Sequence, residues 1–422
     1  MTTATARRTA VRRAAAVLAV SAVLGAAAAP VASAATTPPP ATPLPSGLFG
    51  TTDPAYDGVW RQSLALLAQD TAGLKPAGKA VDWLTAQQCA DGAFPSYRAD
   101  VSGACAAKLP RDSNATAAAV QALTATGGAE PSVTKAVGWL KSVQNADGGW
   151  SYNPGGASDA NSTAVVIGAL AAAGEKPEAV TSAKGGKSPY DALLTFARPC
   201  GGKDGGAFVY QPAMPGAVAD STAAAVVAAR GDGLAPKPAA ASGSAAKGAA
   251  CDKAAKDLEG AAGNGAAYLT AALAKTGHLL TAPMPGAEDS APKPDFGNTA
   301  DAVVALAVQG RTEQAGKSLA WLEGNAAGWA KQSGPAAYAQ LIFAARAAGG
   351  DPKDFGGTDL VAALTATGPA PEKAASASAS GDEKKKDEKK DDGPNMWWII
   401  GAFFAASAGA GFLFSGRRKP RA

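Results

Sequence analysis

Two polar–apolar patterns alternate along the chain. The first opens a helix: Asp112-Ser113-Asn114-Ala115-Thr116-Ala117, Asp159-Ala160-Asn161-Ser162-Thr163-Ala164, Ala219-Asp220-Ser221-Thr222-Ala223 and Asp295-Phe296-Gly297-Asn298-Thr299-Ala300 each lead into a run of Ala, Val and Leu. Asp, Asn or Ser ahead of such a run satisfies the orphan N–H groups of a helix start. Gly127, Gly174, Gly231, Gly310 and Gly349 follow the runs and supply left-handed exits. The second pattern carries an aromatic and Leu: Ala80-Val81-Asp82-Trp83-Leu84, Ala136-Val137-Gly138-Trp139-Leu140, Ala266-Ala267-Tyr268-Leu269 and Leu319-Ala320-Trp321-Leu322. Each of these precedes a Gly-containing turn. Thr163 and Thr299 are 136 positions apart, and so are Leu170 and Leu306, so the register survives through a whole helix. No long run alternates apolar and polar residues as a half-buried strand would. The pattern predicts an all-α body of about 11 to 13 helices, paired two per repeat. A first helix falls near Asp57–Gln69 and a last near Thr358–Ala366.

The ends of the chain read differently. Arg7, Arg8, Arg12 and Arg13 precede an apolar run, and small residues follow at 31–35, the three parts of a secretory signal peptide over residues 1–35. Residues 36–46 form a Pro-rich leader. Residues 396–414 are uncharged and open on Met396-Trp397-Trp398. At 1.5 Å per residue their roughly 28 Å would span a bilayer. Arg417, Arg418, Lys419 and Arg421 in the 415–422 tail place that end in the cytoplasm. Between body and span, residues 369–395 are rich in Ala, Ser, Lys, Asp and Glu and read as a solvated stalk. The expectation is a single-pass protein of the cell membrane, with residues 47–368 folded outside.

This division changes the charge picture. The signal and tail hold eight of the 39 basic residues and no acids, which leaves 31 bases against 35 acids, about −4. No basic patch argues for a nucleic-acid partner. The four cysteines suit export. Of three possible pairings, chain order joins Cys89 to Cys105 and Cys200 to Cys251, stapling loops with little core of their own.

The turn Gln144-Asn145-Ala146-Asp147-Gly148-Gly149-Trp150 resembles the Q-x-x-D-G-G-W motif of the prenyltransferase and squalene-cyclase repeat superfamily, and Gln88 to Phe94 is a looser copy. The resemblance covers about 320 residues and is strongest from Ala80 to Gly174. It implies an α/α toroid of about five to six helix pairs around a central cavity, with the motif's Gln and Trp bracing the repeats. Cyclases of that superfamily protonate an alkene with D-x-D-D-T-A, a clustered carboxylate set that makes one strong acid. Here Asp159 keeps the first acid, Asp220 keeps only the middle one, and Asp112 and Asp295 stand alone, so each reads as a helix cap. An acid cluster assembled from different repeats would revive that chemistry. The zinc site of protein prenyltransferases needs Asp, Cys and His ligands, and His278 is the chain's single histidine. His278 follows Gly277 and reads as a cap contact or a ligand contact.

A toroid without its acids keeps its cavity, as in the secreted cobalamin carriers, which the chain resembles in architecture and export. It shows no clear copy of their β-rich second domain. The leading expectation is therefore a non-enzymatic capture protein with no resident cofactor or metal, holding a corrinoid or similarly bulky nutrient for a membrane importer. The candidate rim is Asp112, Asn114, Thr116, Asp159, Asn161, Thr163, Thr222, Asn298 and Thr299, where helix N-termini offer N–H groups; helix capping is the competing role for each. Tyr97, Trp150, Tyr152, Phe208 and Tyr210 are candidate apolar contacts or fillers between repeats. A prenyltransferase- or cyclase-like enzyme and a surface scaffold or adhesion protein are the alternatives. Residues 235–263 read as a degraded repeat or an insertion.

Overall fold

The computed structural model describes residues 45–237, 250–281 and 291–372. Among these are 13 α-helices. They are α1 (Gly58–Thr71), α2 (Gly78–Ala86), α3 (Ser113–Thr126), α4 (Glu130–Ser142), α5 (Ala160–Ala172), α6 (Pro189–Phe196) and α7 (Ala219–Ala228). The second half adds α8 (Leu258–Leu273), α9 (Phe296–Val308), α10 (Thr312–Asn325), α11 (Ala327–Ser333), α12 (Pro335–Ala347) and α13 (Leu360–Thr365). The body is thus mostly helical, as the patterning predicts. Two short antiparallel pairs fall outside that pattern: β1 (Val209–Gln211) with β2 (Met214–Ala217), and β3 (Leu279–Leu280) with β4 (Pro294–Asp295). They are too short to show a period-two signal and sit immediately before α7 and α9.

Six helices contact one another in the cyclic order α1, α3, α5, α7, α9, α12 and back to α1. The other helices pack outside this ring: α2 on α1 and α3, α4 on α3, α6 on α5, α8 on α7, α10 on α9, and α11 and α13 on α12. Composition explains which helix goes where. In α5 the run from Ser162 to Leu170 is buried throughout, and a helix apolar on all sides belongs inside. In α4 only Ala136, Val137, Trp139 and Leu140 are buried, a single stripe at helical spacing.

The D-x-x-x-T units form a repeated joint. Asp112, Asp159 and Asp295 cap α3, α5 and α9, each accepting from the backbone N–H three residues on, at 2.9, 2.7 and 3.1 Å. Four residues after the cap position, a threonine Oγ accepts the N–H of the preceding loop. Phe94 donates to Thr116, Trp150 to Thr163, Phe208 to Thr222 and Leu279 to Thr299, at 2.9 to 3.1 Å. A buried N–H left without such a partner costs about 1–3 kcal/mol. These bonds fix each loop onto the start of its inner helix.

The Gly-rich turns tie neighbouring repeats together. Gln144 Nε2 donates to the Gly148 carbonyl at 2.8 Å, and Gln88 Nε2 to the Gly92 carbonyl at 2.9 Å and to Ser132 at 2.8 Å. Trp150 is fully buried and its Nε1 donates to the Leu140 carbonyl at 2.8 Å. Gly148 has φ of +90°, and a Cβ there would strike the Ser188 carbonyl, so only glycine fits. The five glycine exits have φ between 70° and 80°. Cys89–Cys105 and Cys200–Cys251 are the disulfides formed, a pairing compatible with an extracellular body. The ring closes end to end: Gly50 N–H donates to the Thr367 carbonyl at 2.8 Å, and the Lys75 ammonium pairs with Glu372 at 2.8 Å.

Among the described residues no helix is long and apolar enough to cross a membrane. The expected signal, most of the leader, most of the stalk, the span at 396–414 and the tail lie outside the described residues. Residues 258–263 of the unassigned 235–263 segment begin α8, while 238–249 are not described.

Candidate functional site

A cavity of about 320 Å³ lies inside the ring, and every ring helix lines it. Its polar wall is built from helix starts. Asn114 in α3, Asn161 in α5 and Asp220 in α7 occupy the same place in the repeated unit, two residues before its threonine. Asn298 and Asp301 of α9 and Gln340 of α12 complete this wall. The apolar wall comes from Trp60, Leu64, Val165, Val227, Val304 and Phe343. Asp232, Gly233 and Leu234, following α7, close one side. A Cβ on Gly168 would collide with Gly233, a Cβ on Gly233 would strike Gln121 Oε1, and Leu234 N–H donates to Gln121 Oε1 at 2.8 Å.

The polar wall is a network that joins different repeats. Ser221 Oγ donates to Asn161 Oδ1 at 2.6 Å, and Asn161 Nδ2 donates to Asp220 Oδ2. Gln340 Nε2 donates to the two carboxylate oxygens of Asp301 at 3.2 and 3.4 Å. Burial raises the Asp220 carboxyl; the Asn161 hydrogen bond opposes this, while the charges of Asp295 and Asp159 reinforce it. Burial, then the charge of Asp220, pushes Asp301 up to about 8 against the Gln340 bond. Two carboxyls facing one low-dielectric space cannot both ionise cheaply. At neutral pH this site therefore holds a proton on Asp301.

The expected rim residues divide into two sets. Asn114, Asn161 and Asn298 line the cavity. Asp112, Asp159, Thr116, Thr163, Thr222 and Thr299 do not; they serve as caps and loop anchors, as described above. Asp112 also accepts from Ser96 Oγ at 3.0 Å, and burial raises its carboxyl. Reading Asp220 as a helix cap is corrected by the structure. The N-cap position of α7 is Val218, without a side-chain cap, and Asp220 points its carboxylate at Asn161 instead. Of the candidate aromatics, Trp150 and Phe208 are buried between repeats, while Tyr152 is half-exposed, its phenol pushed up to about 12 chiefly by burial. His278 stacks on Trp321 with ring centroids 4.0 Å apart, and its Nδ1 lies 2.9 Å from the Thr276 carbonyl.

Asp301, Gln340 and Trp60 join the site without having been expected there. Asp301 and Gln340 nonetheless carry a signal, as polar residues flanked by apolar ones, Ala300 and Ala302 in α9 and Ala339 and Leu341 in α12. No group of three or more His, Cys, Asp or Glu among the described residues could hold a metal ion.

Known proteins add little beyond this. No family model matches the chain, and no curated protein matches it. A solved structure of a protein from Actinoplanes is similar at 14% identity with a TM-score of 0.45, over 72% of this chain and 94% of that one.

Proposed function

We propose that the chain is an exported, membrane-anchored small-molecule-binding protein whose ring of helices is an α/α toroid and whose ligand occupies the central cavity. The observation that carries this reading is the cavity itself. All six ring helices contribute to it, and its lining combines apolar side chains with a hydrogen-bonded acid–amide set. Ligand sites are commonly of this kind, mostly apolar with a few placed polar groups. The two disulfides are compatible with a body outside the cell. Its volume of about 320 Å³ is near the lower end of pockets for drug-sized molecules. That favours a guest smaller than a corrinoid, which stays as one arm of the test. Delivery of the captured molecule to a membrane importer fits the same reading.

A second reading rests on one observation. Asp220 stands at the middle-acid position of the cyclase-like unit, and Asp301 from the next inner helix brings a second carboxyl to the same cavity. Such a pair favours general-acid chemistry on an isoprenoid.

Thermal unfolding of the full-length chain tests both. Cobalamin, isoprenoid diphosphates and small apolar amines and alcohols are added in turn. A ligand at a hundred times its dissociation constant stabilises the fold by about 2.7 kcal/mol. A shift with any of them supports binding. Turnover of an isoprenoid, lost in Asp220→Asn, would move the second reading ahead. No shift with any probe overturns the binding proposal.

A further inference from the structure

We propose that the cavity takes a small ammonium ligand, a primary or secondary amine on an apolar body, with Asp220 and Asp301 holding the charge. The proposal rests on reading the cavity as a ligand site and names the ligand's chemistry.

The amides of the polar wall turn N–H groups toward carboxylates: Asn161 Nδ2 to Asp220, Gln340 Nε2 to Asp301 and Asn298 Nδ2 to Asp295 at 2.7 Å. The two cavity acids keep acceptor capacity beyond these bonds. An ionised carboxylate offers about four lone-pair sites, and the bonds above occupy few of them on Asp220 and Asp301. No Lys, Arg or His is among the lining residues. An anion would meet acids and no basic side chain. A neutral apolar guest would leave the acids uncompensated in a desolvated space. An ammonium group brings a positive charge and up to three N–H donors, and so answers both acids together. Trp60 and Phe343 in the same lining suit an apolar or aromatic body.

Binding is then linked to a proton. The charged groups that bear on the acid pair are the carboxyls of Asp295 and Asp159; α12 contributes the neutral amide of Gln340, and Asp232 is also in the lining, with Arg230 as its partner at 3.7 Å. Free Asp301 holds its proton to about pH 8. The ammonium enters, the Asp301 carboxyl ionises, and one proton leaves to solvent. Affinity must therefore rise with pH until Asp301 is already ionised.

The test is calorimetric titration of the full-length chain with 2-phenylethylamine, 2-phenylethanol and phenylacetate, at pH 6 and pH 9, in two buffers of different ionisation enthalpy. An alkylamine near the lysine value of about 10.4 stays largely charged across this range. The expected result is at least tenfold tighter binding of the amine than of either isostere at pH 9. Amine affinity should fall on the order of 10²-fold at pH 6, because two pH units below a pKa of about 8 each cost a factor of ten. Near pH 7 the buffer dependence should report release of close to one proton, and Asp301→Asn should flatten the pH profile. Equal or tighter binding of the alcohol or the carboxylate overturns the ammonium proposal and leaves the cavity a ligand site. The ammonium proposal also falls, and the ligand site stands, if none of the three binds while cobalamin or an isoprenoid diphosphate shifts the unfolding. Silence from every probe overturns both readings.

Discussion

Replacing Asp301 with Asn removes a carboxyl while keeping an acceptor for Gln340 Nε2, so the change isolates the cost of charge in the cavity. In the unfolded chain this carboxyl returns to 3.8, whereas the folded protein raises it to about 8. The folded state therefore binds the proton more tightly, and stability falls as pH rises through that window. Below the unfolded value the penalty is absent, and above the folded value it is complete. At about 1.4 kcal/mol per pH unit over about four units, its ceiling is near 6 kcal/mol. Asp301 is half-buried and faces a cavity, where water and the Gln340 contact relieve part of the charge. A gain of about 2–4 kcal/mol for Asp301→Asn at pH 8.5 follows, since the effective penalty for a buried ion after relaxation is several kcal/mol. Urea unfolding of full-length wild type and variant, followed by tryptophan fluorescence at pH 5 and 8.5, measures it. The gain should shrink by more than half at pH 5. A variant less stable than wild type at pH 8.5, or a gain independent of pH, would refute the assignment of a desolvated acid.

Other perturbations separate scaffold from site. Trp150→Ala empties a fully buried position and removes the Nε1 bond to Leu140; a loss of about 3–5 kcal/mol by urea unfolding is expected. Thr163→Val leaves the Trp150 N–H without its acceptor and should cost about 1–3 kcal/mol in the same assay, with ligand affinity unchanged at equal folded fraction. Reducing the Cys89–Cys105 and Cys200–Cys251 bridges, which are separated by 16 and 51 residues, frees loops whose closure entropy is about 3 and about 4 kcal/mol. Serine pairs at each bridge, compared by unfolding, should preserve that order.

The helices and their order are legible in the sequence because small apolar residues, capping Asp and exit Gly recur with fixed spacing. Even the division into inner and outer helices follows from how far round each helix the apolar residues run, as in α5 against α4. The disulfide pairing also follows from chain order. The site is legible only in part. Asn114 and Asn161 lie in a repeated unit, but the same unit holds Thr116 and Thr163, whose work is to hold loops. Sequence spacing places both kinds of residue on the same turn of helix and does not say which side meets the space inside. Asp220 misleads for a related reason: a lone acid at a helix start has a ready local role. Its true partners, Asn161 and Asp301, are 59 positions before it and 81 after it. Asp301 stands out as the one acid in the run Ala300–Val308. A charge amid residues with nothing to hydrate it signals a partner or a cavity somewhere in the fold.

The clasp between the first and last elements of the ring has a mechanical consequence. Gly50 bonds to Thr367, Lys75 pairs with Glu372, and Gly368 sits against the ring of Phe49. Residues 45 and 372 therefore leave the body near one seam, and tension between the two ends loads that seam before it stretches any helix. Pulled this way, the ring opens as a bracelet does, at its fastening, and the cavity loses a wall while most of the helix pairs stay folded. Joined there instead by a short linker and cut at a distant exposed turn, the same ring would carry its ends elsewhere with its inner contacts intact.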